Sequence, residues 1–243
     1  EQAIQPDTAL ISVMHVNNET GVINPIDSLV AVAKRVGALF HVDCAQSVGK
    51  LPIDLSSLKA DMISLCAHKV YGPKGIGALY VRRSADFQVT SQIHGGGHER
   101  NMRSGTLATH QIVGFGEALN IAAKDMVAEQ TLIKALKMRF LTELEDASFV
   151  INGSVDNSVS GIVNLSFPGV DGQLLLAALP TLAISSGSAC NSASMAPSHV
   201  LKAMGLSDED ALSSLRFSFG RCTTESEVVE AAALLKNALS KLA

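Results

Sequence analysis

Short, mainly apolar runs alternate with helical periodicity in the first half of the chain. Residues 9–14, 39–42 and 62–66 form runs that are typical of strands buried on both faces of a sheet. Between the first two runs, apolar residues recur at three- and four-residue spacing and predict a helix at 26–36. This strand–helix–strand order predicts a βαβ unit in a mostly parallel sheet. A further run at 76–82 is predicted to add an antiparallel strand.

The pattern changes after a long helical segment at 111–146, within which 126–129 marks the predicted domain junction. Shorter elements follow: strands at 149–151, 161–167 and 215–219, a helix at 172–182, and a closing helix at 225–242 with Thr224 as its N-cap. The sequence therefore predicts an α/β fold with two domains. Residues 1–126 form part of a large domain with a mostly parallel sheet, and residues 127–243 form a small α+β domain.

Composition and charge narrow the range of functions. The 243 residues are 47% hydrophobic and carry a net charge of −4, without the basic patch that nucleic-acid binding requires. The longest apolar run, at 173–183, is shorter than the ~20 residues of a membrane span. The four cysteines form no CxxC pair, and a chain of this length needs no disulfides. We therefore expect reduced thiols and a cytoplasmic protein rather than two structural disulfides.

A lysine and an aspartate follow two of the predicted strands. Lys69 lies in the turn HKVYGPKG, where partial shielding from water favours the amine that forms a Schiff base. Asp43 ends the second strand, at the edge of the sheet where ligands of parallel α/β folds bind. A pyridoxal-phosphate (PLP) site requires such a lysine and a carboxylate against the pyridine nitrogen, and Gln46 can reach the phenolic oxygen of the ring. Either residue alone would indicate only a turn.

Two further side chains suit the same site. Asn18 lies in the turn after the first strand and can hydrogen-bond to the ring oxygen or to the substrate. Arg216 lies in a strand with alternating neighbours, where its guanidinium group suits bidentate binding of an α-carboxylate. A structural ion pair is an equally good interpretation of Arg216 taken alone.

The cysteines fall into two groups. Cys190 lies in the small-residue segment SSGSACNSAS, which cannot pack a core, and is a candidate for an accessible nucleophile. Cys44, Cys66 and Cys222 accompany apolar strands and are predicted to be buried.

The segment HGGGHERNMRSGT at 94–106 combines glycines, arginines and hydroxyl groups, which suits an anion such as the PLP phosphate. His94 and His98 raise the alternative of a metal site. They flank three glycines and have no cysteine nearby, so we predict no metal there.

Taken together, the motifs resemble those of cysteine desulfurases of the iron–sulfur cluster assembly type, within the class V aminotransferase superfamily. The motifs are MHVNNETG, HVDCAQSVGKLPIDL, HKVYGPKGIGALYVRR, HGGGHERNMRSGT, SSGSACNSAS and SSLRFSFGR, in collinear order over nearly the whole chain. The resemblance implies the PLP-dependent transferase fold of type I. It also implies a homodimer that takes sulfur from L-cysteine and passes it to scaffold or carrier proteins.

The resemblance also implies a role for each site residue. Lys69 holds PLP covalently, and Cys190 accepts sulfur as a persulfide while alanine is released. The other implied roles are contacts to PLP by Asp43, Gln46, Asn18, His68 and Cys66, binding of the substrate by Asn18 and Arg216, and a contact from Thr106 to the phosphate in the neighbouring subunit. Cys66 stands where the family has a serine that hydrogen-bonds to the phosphate, and a thiol is a weaker donor.

The resemblance further implies that the family's N-terminal third is absent from this chain, and that these 243 residues alone would bind PLP weakly or not at all and would not turn over. Two alternatives remain. One is another class V enzyme, a selenocysteine lyase in particular, since a plain aminotransferase needs no thiol. The other is an inactive module for dimerisation or scaffold binding.

Overall fold

The computed structural model describes residues 1–84, 86–186 and 196–242, which divide into two compact units. Unit 1 comprises Glu1–His15 and Pro25–Asp125, and unit 2 comprises Val16–Asn24 and the chain from Met126 onward. The later division, between Asp125 and Met126, lies next to the boundary between residues 126 and 127 that the sequence predicts. The sequence had assigned Val16–Asn24 to the first domain, whereas its backbone pairs within unit 2: Val22 bridges Ser158, and the amide of Val159 donates to the carbonyl of Gly21 at 2.9 Å.

Unit 1 is built on a four-stranded sheet in the order β1-β2-β3-β4. The strands are β1 (Leu10–Met14), β2 (Leu39–Asp43), β3 (Met62–Cys66) and β4 (Gly77–Val81). The first three are parallel, and β4 runs antiparallel to β3. The prediction of a βαβ unit followed by an antiparallel strand is therefore confirmed.

One face of this sheet carries the unit's core. Helix α1 (Ile26–Arg35) buries Ile26, Val30 and Ala33 against this face. These side chains form one apolar cluster with Phe40 and Ile63 of the strands. Side chains alternate between the faces of a strand, so His41 and Asp43 of β2 lie on the opposite face. Burial of a side chain such as Phe40 contributes about 1.5–3 kcal/mol, which fixes the register and hence the side on which Asp43 emerges.

Helix α2 (Thr109–Glu143) is continuous across the boundary between the units. Its first part packs in unit 1 through Phe115, Ala118 and Ala122, which form a cluster with Val70. Its last part packs in unit 2 through Leu136 and Phe140, among others.

Unit 2 contains an antiparallel sheet in the order β5-β6-β7, formed by β5 (Val150–Ile151), β6 (Ile162–Ser166) and β7 (Ser214–Ser218). Its helices are α3 (Gly172–Ala177), α4 (His199–Ala203), α5 (Asp208–Leu212) and α6 (Glu225–Leu242). Phe140 of α2 packs against Phe217 of β7 with ring centroids 4.8 Å apart, so the apolar residues of β6 and β7 face a helical layer.

The opposite face of this second sheet is polar yet buried. Asn152 donates from Nδ2 to Oδ1 of Asn164 and to Oγ of Ser166, both at 2.7 Å. Ser166 and Ser214 share a hydrogen bond of 2.8 Å between their hydroxyl groups. Arg216 lies on this same face, directly opposite Asn164 in the register.

Several details differ from the sequence expectations. The helix predicted at 172–182 ends at Ala177, three residues before Pro180. Helices α4 and α5 were not predicted, because five residues are too few for a helical period to show. The N-cap of α6 is confirmed: Thr224 Oγ1 accepts from the amide of Glu227 at 3.3 Å, and the Glu227 carboxylate accepts from the amide of Thr224 at 2.7 Å.

Candidate active site

The carboxyl ends of the parallel strands in unit 1 form one polar edge. Asp43 is the partner of Ser64 in the β2–β3 register, and its carbonyl accepts a 2.8 Å hydrogen bond from the amide of His15. The Asp43 carboxylate is exposed, and its Oδ1 accepts from the amide of Ala45 at 2.8 Å. This bond holds the carboxylate at the end of its strand instead of leaving it free to rotate.

Lys69 follows β3 in a tight turn at the same edge. The carbonyl of Ala67 accepts hydrogen bonds from the amides of Val70 (3.0 Å) and Gly72 (2.9 Å). A Cβ atom on Gly72 would lie 3.0 Å from that carbonyl oxygen, so any larger residue there would have to displace the tight turn. Lys69 is half-buried, as predicted for this position, and the neighbouring His68 is exposed.

Cys66 and Gln46 also lie at this edge, with contacts inside unit 1. Cys66 is half-buried, and its thiol lies 3.9 Å from the carbonyl oxygen of Ala45, a weak hydrogen bond. Gln46 accepts from the ammonium group of Lys50 through Oε1 at 2.8 Å. The structure therefore brings Asp43, Cys66 and the Lys69 turn to the ends of neighbouring strands.

A chain of three side chains crosses the parallel strands behind Asp43, and the sequence analysis missed it. His41 Nδ1 lies 2.8 Å from the hydroxyl of Ser12, and its Nε2 lies 2.7 Å from the hydroxyl of Ser64. These contacts fix the imidazole ring two residues before Asp43 on the same face. The alternation of His41 and Asp43 was the only sequence signal, since the serine partners lie on other strands.

His15 and Cys44 form a second pair at this edge, with His15 Nδ1 4.0 Å from the Cys44 sulfur. Burial lowers the pKa of His15, against a smaller opposing effect of Asp27. Burial also raises the pKa of Cys44, which favours the inert thiol form. The prediction that Cys44 is a buried small side chain is confirmed.

Thr106 lies in the exposed segment that precedes α2. Two residues before it, Ser104 is buried. Its hydroxyl accepts a 3.2 Å hydrogen bond from the amide of Gly97 and so links the two ends of the loop at 97–104. Glu99, Arg100 and Asn101 all adopt positive φ angles, an uncommon run for residues with side chains. The contact of Thr106 with a neighbouring subunit stays a prediction.

Unit 2 contains Asn18 and Arg216, and it brings them into direct contact. The guanidinium group of Arg216 donates from Nη1 to the carbonyl oxygen of Asn18 at 3.0 Å. The backbone of Arg216 pairs with Ser185, whose carbonyl accepts from the Arg216 amide at 2.6 Å. Burial lowers the pKa of Arg216, and the nearby charge of Glu19 opposes that effect.

Two donors on the polar face of unit 2 have no acceptor within the described part of the chain. They are Nε of Arg216 and Nδ2 of Asn164, both buried. A buried donor without a partner is costly, and in a native site it often indicates a ligand or a bound water. The Nε atom belongs to the guanidinium group that the sequence analysis assigned to a carboxylate.

The remaining cysteines divide differently from the expectation. Cys190 lies outside the described residues. Cys222 is exposed, so the prediction that it is buried was wrong: a turn in which the Thr223 amide donates to the Gly220 carbonyl at 3.0 Å carries it off the end of β7. Cys44, Cys66 and Cys222 are all free thiols.

Among the described residues, we find no cluster of three or more His, Cys, Asp or Glu side chains placed to share a metal ion. None of the helices within residues 1–84, 86–186 and 196–242 combines the length and apolar character that a membrane crossing needs.

Comparison with known proteins assigns this arrangement to a family. The family model for aminotransferase class V matches residues 1–230. The chain belongs to the aminotransferase class V family. Enzymes of this family depend on PLP, and the alignment of Asp43 with the Lys69 turn fits that cofactor, since a carboxylate and an amine on neighbouring strand ends match its pyridine nitrogen and aldehyde.

Individual class V proteins are similar over the whole chain. "Cysteine desulfurase IscS" from Tolumonas auensis is 54% identical over 243 residues, which are 100% of this chain and 60% of that protein. A solved structure described as a "NIFS-LIKE PROTEIN" matches with a TM-score of 0.89 and 32% identity, covering 99% of this chain and 64% of the other. The fold is therefore the PLP-dependent transferase fold of type I, as predicted.

A second solved structure, described as "SspA in complex with cysteine", matches with a TM-score of 0.76 and 40% identity. The match covers 92% of this chain and 62% of the chain in that structure. The chain thus spans about 60% of the length of the curated relative named above.

Proposed function

We propose that the protein carrying this chain is a PLP-dependent cysteine desulfurase that converts L-cysteine to L-alanine and supplies sulfur for iron–sulfur cluster assembly. The observation that carries the proposal is the placement of Asp43 beside Ser64 in the register that leads to the Lys69 turn. The 54% identity to a cysteine desulfurase supports the choice of this activity among class V reactions.

The residues of unit 1 hold the cofactor in this proposal. When bound, PLP withdraws electrons from the α-carbon of an amino acid and so makes its proton acidic. Lys69 anchors the cofactor through Nζ and then moves the α-proton. The Asp43 carboxylate keeps the pyridine nitrogen protonated, and Gln46 reaches the ring oxygen. His68 and Cys66 contribute to the surroundings of the phosphate.

The residues of unit 2 bind the substrate in this proposal. The guanidinium group of Arg216, whose buried Nε has no acceptor within the described residues, donates to the α-carboxylate of L-cysteine as a charge-assisted pair. Asn18, whose carbonyl fixes the guanidinium group at 3.0 Å, contacts the substrate or the ring oxygen through its side chain. Burial strengthens this recognition, because water competes less for the charge.

Cys190 completes the reaction as the sulfur acceptor. Its thiolate attacks the substrate sulfur, an S–S bond forms, and the Cβ–S bond of the substrate breaks. Cβ gains the electron pair and a proton, which gives L-alanine, and the enzyme keeps the sulfur as a persulfide. The overall change is L-cysteine and a thiol to L-alanine and a persulfide, so no external oxidant is needed.

The proposed function also bears on the oligomeric state and the cellular compartment of the protein. We propose a homodimer in which Thr106 reaches the phosphate of the partner's cofactor, and a scaffold or carrier protein that takes the sulfur. The three described cysteines are free thiols, which supports a reducing, cytoplasmic setting.

The cofactor assignment is tested with the full-length protein. Lys69→Ala should abolish the absorption band of the lysine-bound cofactor, and borohydride should remove the band from the wild-type protein. Lys74→Ala is the matched control, since Lys74 is an exposed lysine of the same turn, and it should keep the band. A band that survives in Lys69→Ala would exclude Lys69 as the anchor.

The activity is tested by measuring alanine release from L-cysteine and the mass of the enzyme after one turnover. Cys190→Ser should keep the cofactor band but form neither persulfide nor alanine at the wild-type rate. Cys222→Ser removes an exposed thiol and should behave as wild type. Faster alanine release from selenocysteine than from cysteine, with no need for Cys190, would identify a selenocysteine lyase instead.

A further inference from the structure

Glu19 is a carboxylate buried in the polar part of unit 2, with only 1% of its surface exposed. Its backbone is held by Asn17, whose side-chain oxygen accepts from the amides of Glu19 and Thr20, both at 2.9 Å. Gly21 closes this turn with a φ of +76°, and a Cβ there would lie 3.0 Å from Cβ of Ile162. The turn is therefore fixed against β6, and the position of Glu19 is fixed with it.

The carboxylate of Glu19 has one hydrogen-bond donor from a distant part of unit 2. The hydroxyl of Ser198 donates to Oε2 of Glu19 at 2.6 Å. The same hydroxyl accepts from the amides of Val200 (3.2 Å) and Leu201 (3.3 Å), so Ser198 is also the N-cap of α4. Glu19 is thus anchored to the start of a helix and cannot turn freely toward solvent.

The charge of Glu19 acts on Arg216. Burial lowers the pKa of the Arg216 guanidinium, and Glu19 is the charged neighbour that raises it. Among the described ion pairs, none joins these two residues within 4.0 Å. Arg216 instead donates Nη1 to the carbonyl of the residue before Glu19, Asn18, and keeps Nε without a partner.

This geometry separates the two requirements of a carboxylate-binding arginine. A buried cation needs a negative charge nearby, but a direct bidentate partner would occupy the fork that must bind the ligand. Glu19 supplies the charge from a distance, and the Asn18 carbonyl supplies the orientation. The fork itself stays available to an incoming carboxylate.

We infer that Glu19 is a positioning residue that stabilises the buried guanidinium group of Arg216 and keeps it oriented for the substrate carboxylate without occupying its donors. The inference rests on the proposed function, in which Arg216 binds the α-carboxylate. Without the charge of Glu19, the guanidinium group would be a buried cation lacking its anion, and it would move toward water. The substrate carboxylate would then lose its aligned partner.

Steady-state kinetics of the full-length, cofactor-loaded enzyme test this inference. Glu19→Gln keeps the size and the hydrogen-bonding oxygen but removes the charge. We expect it to raise KM for L-cysteine about tenfold, because the substrate carboxylate loses its aligned partner, with kcat within about twofold. Arg216→Lys should raise KM at least as much. An unchanged or lowered KM in Glu19→Gln would overturn the inference.

The double variant separates positioning from a general structural effect. If Glu19 acts through Arg216, adding Glu19→Gln to Arg216→Gln, which removes the cation on which Glu19 acts, should change KM by less than about twofold. Multiplied effects of the two changes would mean that they act independently, and the inference would be wrong.

Ser198→Ala tests the anchor without changing a charge, in case Glu19→Gln does not fold. It should raise KM about threefold, because it removes the hydroxyl donor that holds the Glu19 carboxylate in place. Ser207→Ala is the matched control: Ser207 caps the similarly short helix α5 through the amide of Asp210 at 3.0 Å. It should leave KM within about twofold, and an equal rise in both variants would contradict the anchor.

A readout without turnover distinguishes this inference from the proposed function. L-alanine carries the same carboxylate, and its binding should raise the melting temperature of the wild-type protein but not of Glu19→Gln or Arg216→Lys. If the wild-type protein forms no alanine from L-cysteine, the proposed function fails, and this thermal shift alone decides the role of Glu19. A shift of equal size in all three proteins, or in none, overturns it.

Discussion

Asp43 lies opposite Ser64 in the parallel register between β2 and β3, and Ser64 holds His41 through a 2.7 Å contact with Nε2. Asp43, the carboxylate proposed to contact the pyridine nitrogen, therefore lies on the same strand as His41, whose ring is held by Ser12 on one side and by Ser64 on the other. A rigid strand end suits a group that must meet one ring atom.

Asp43→Asn should lower the rate of alanine formation on the order of a hundredfold at saturating cofactor, because an amide cannot keep the pyridine nitrogen protonated. The cofactor band should remain, since Lys69 is untouched. Asp7→Asn, at an exposed position of the same unit, controls for loss of a negative charge and should behave as wild type. Equal rates for the two variants would remove Asp43 from the mechanism.

Much of unit 1 could be predicted from local sequence because its strands are buried and its crossover is short. Apolar runs revealed β1, β2 and β3, and the turn residues after them marked Asp43 and the Lys69 turn as neighbours. The path of Ser12, His41 and Ser64 could not be read in advance, because hydrogen bonds across strands leave no periodic signal.

Unit 2 was less predictable, since its polar contacts join distant parts of the chain. Ser198 and Glu19 are 179 positions apart, and the turn around Glu19 follows β1 directly in sequence while packing in the other unit. Pro180 was a usable signal that the helix predicted at 172–182 was too long. The exposure of Cys222 could not be predicted from the sequence, because the apolar residues before it suggested a continuing strand, whereas the chain turns at Gly220.

Cys66→Ser should tighten PLP binding about threefold to tenfold, the gain from replacing a weak thiol donor with a hydroxyl. The Cys66 thiol now makes only a 3.9 Å contact with the carbonyl of Ala45, so little is lost on substitution. The dissociation constant would be measured by titrating the cofactor-free protein and following the absorption band. Cys222→Ser is the control, and weaker binding in Cys66→Ser would contradict a phosphate contact at this position.

Arg221→Lys should destabilise the protein by about 1–3 kcal/mol, because a lysine cannot reproduce a bidentate pair. Arg221 donates Nε to Oε1 of Glu129 at 3.2 Å and an Nη2 proton to Oε2 at 2.9 Å, and the Glu129 side chain is only 8% exposed. Urea unfolding would measure the change. Arg139 forms an ion pair with Glu143 at a more exposed site. Arg139→Lys should therefore lower the free energy of unfolding by less than about 0.5 kcal/mol.

Lys137 makes the free energy of unfolding depend on pH in the alkaline range. Its side chain is 3% exposed, and its ammonium group donates to the Ser158 hydroxyl and to the Val159 carbonyl, both at 3.2 Å. Burial lowers its pKa, with a further lowering from Lys134 and a smaller opposing effect of Asp156. The charged form is therefore less favourable in the folded than in the unfolded chain.

Between the lowered pKa of the folded state and the unfolded value of about 10.4, the unfolded chain binds more protons at Lys137 than the folded chain does. The free energy of unfolding contributed by this residue must then rise with pH across that window. We expect wild type to gain stability relative to Lys137→Met between about pH 7 and about pH 10, measured by urea unfolding of both proteins. Lys124→Met, at an exposed position of the same helix, accounts for the loss of one positive charge. A difference that stays constant or shrinks as the pH rises would mean that the Lys137 ammonium group is not penalised by its burial.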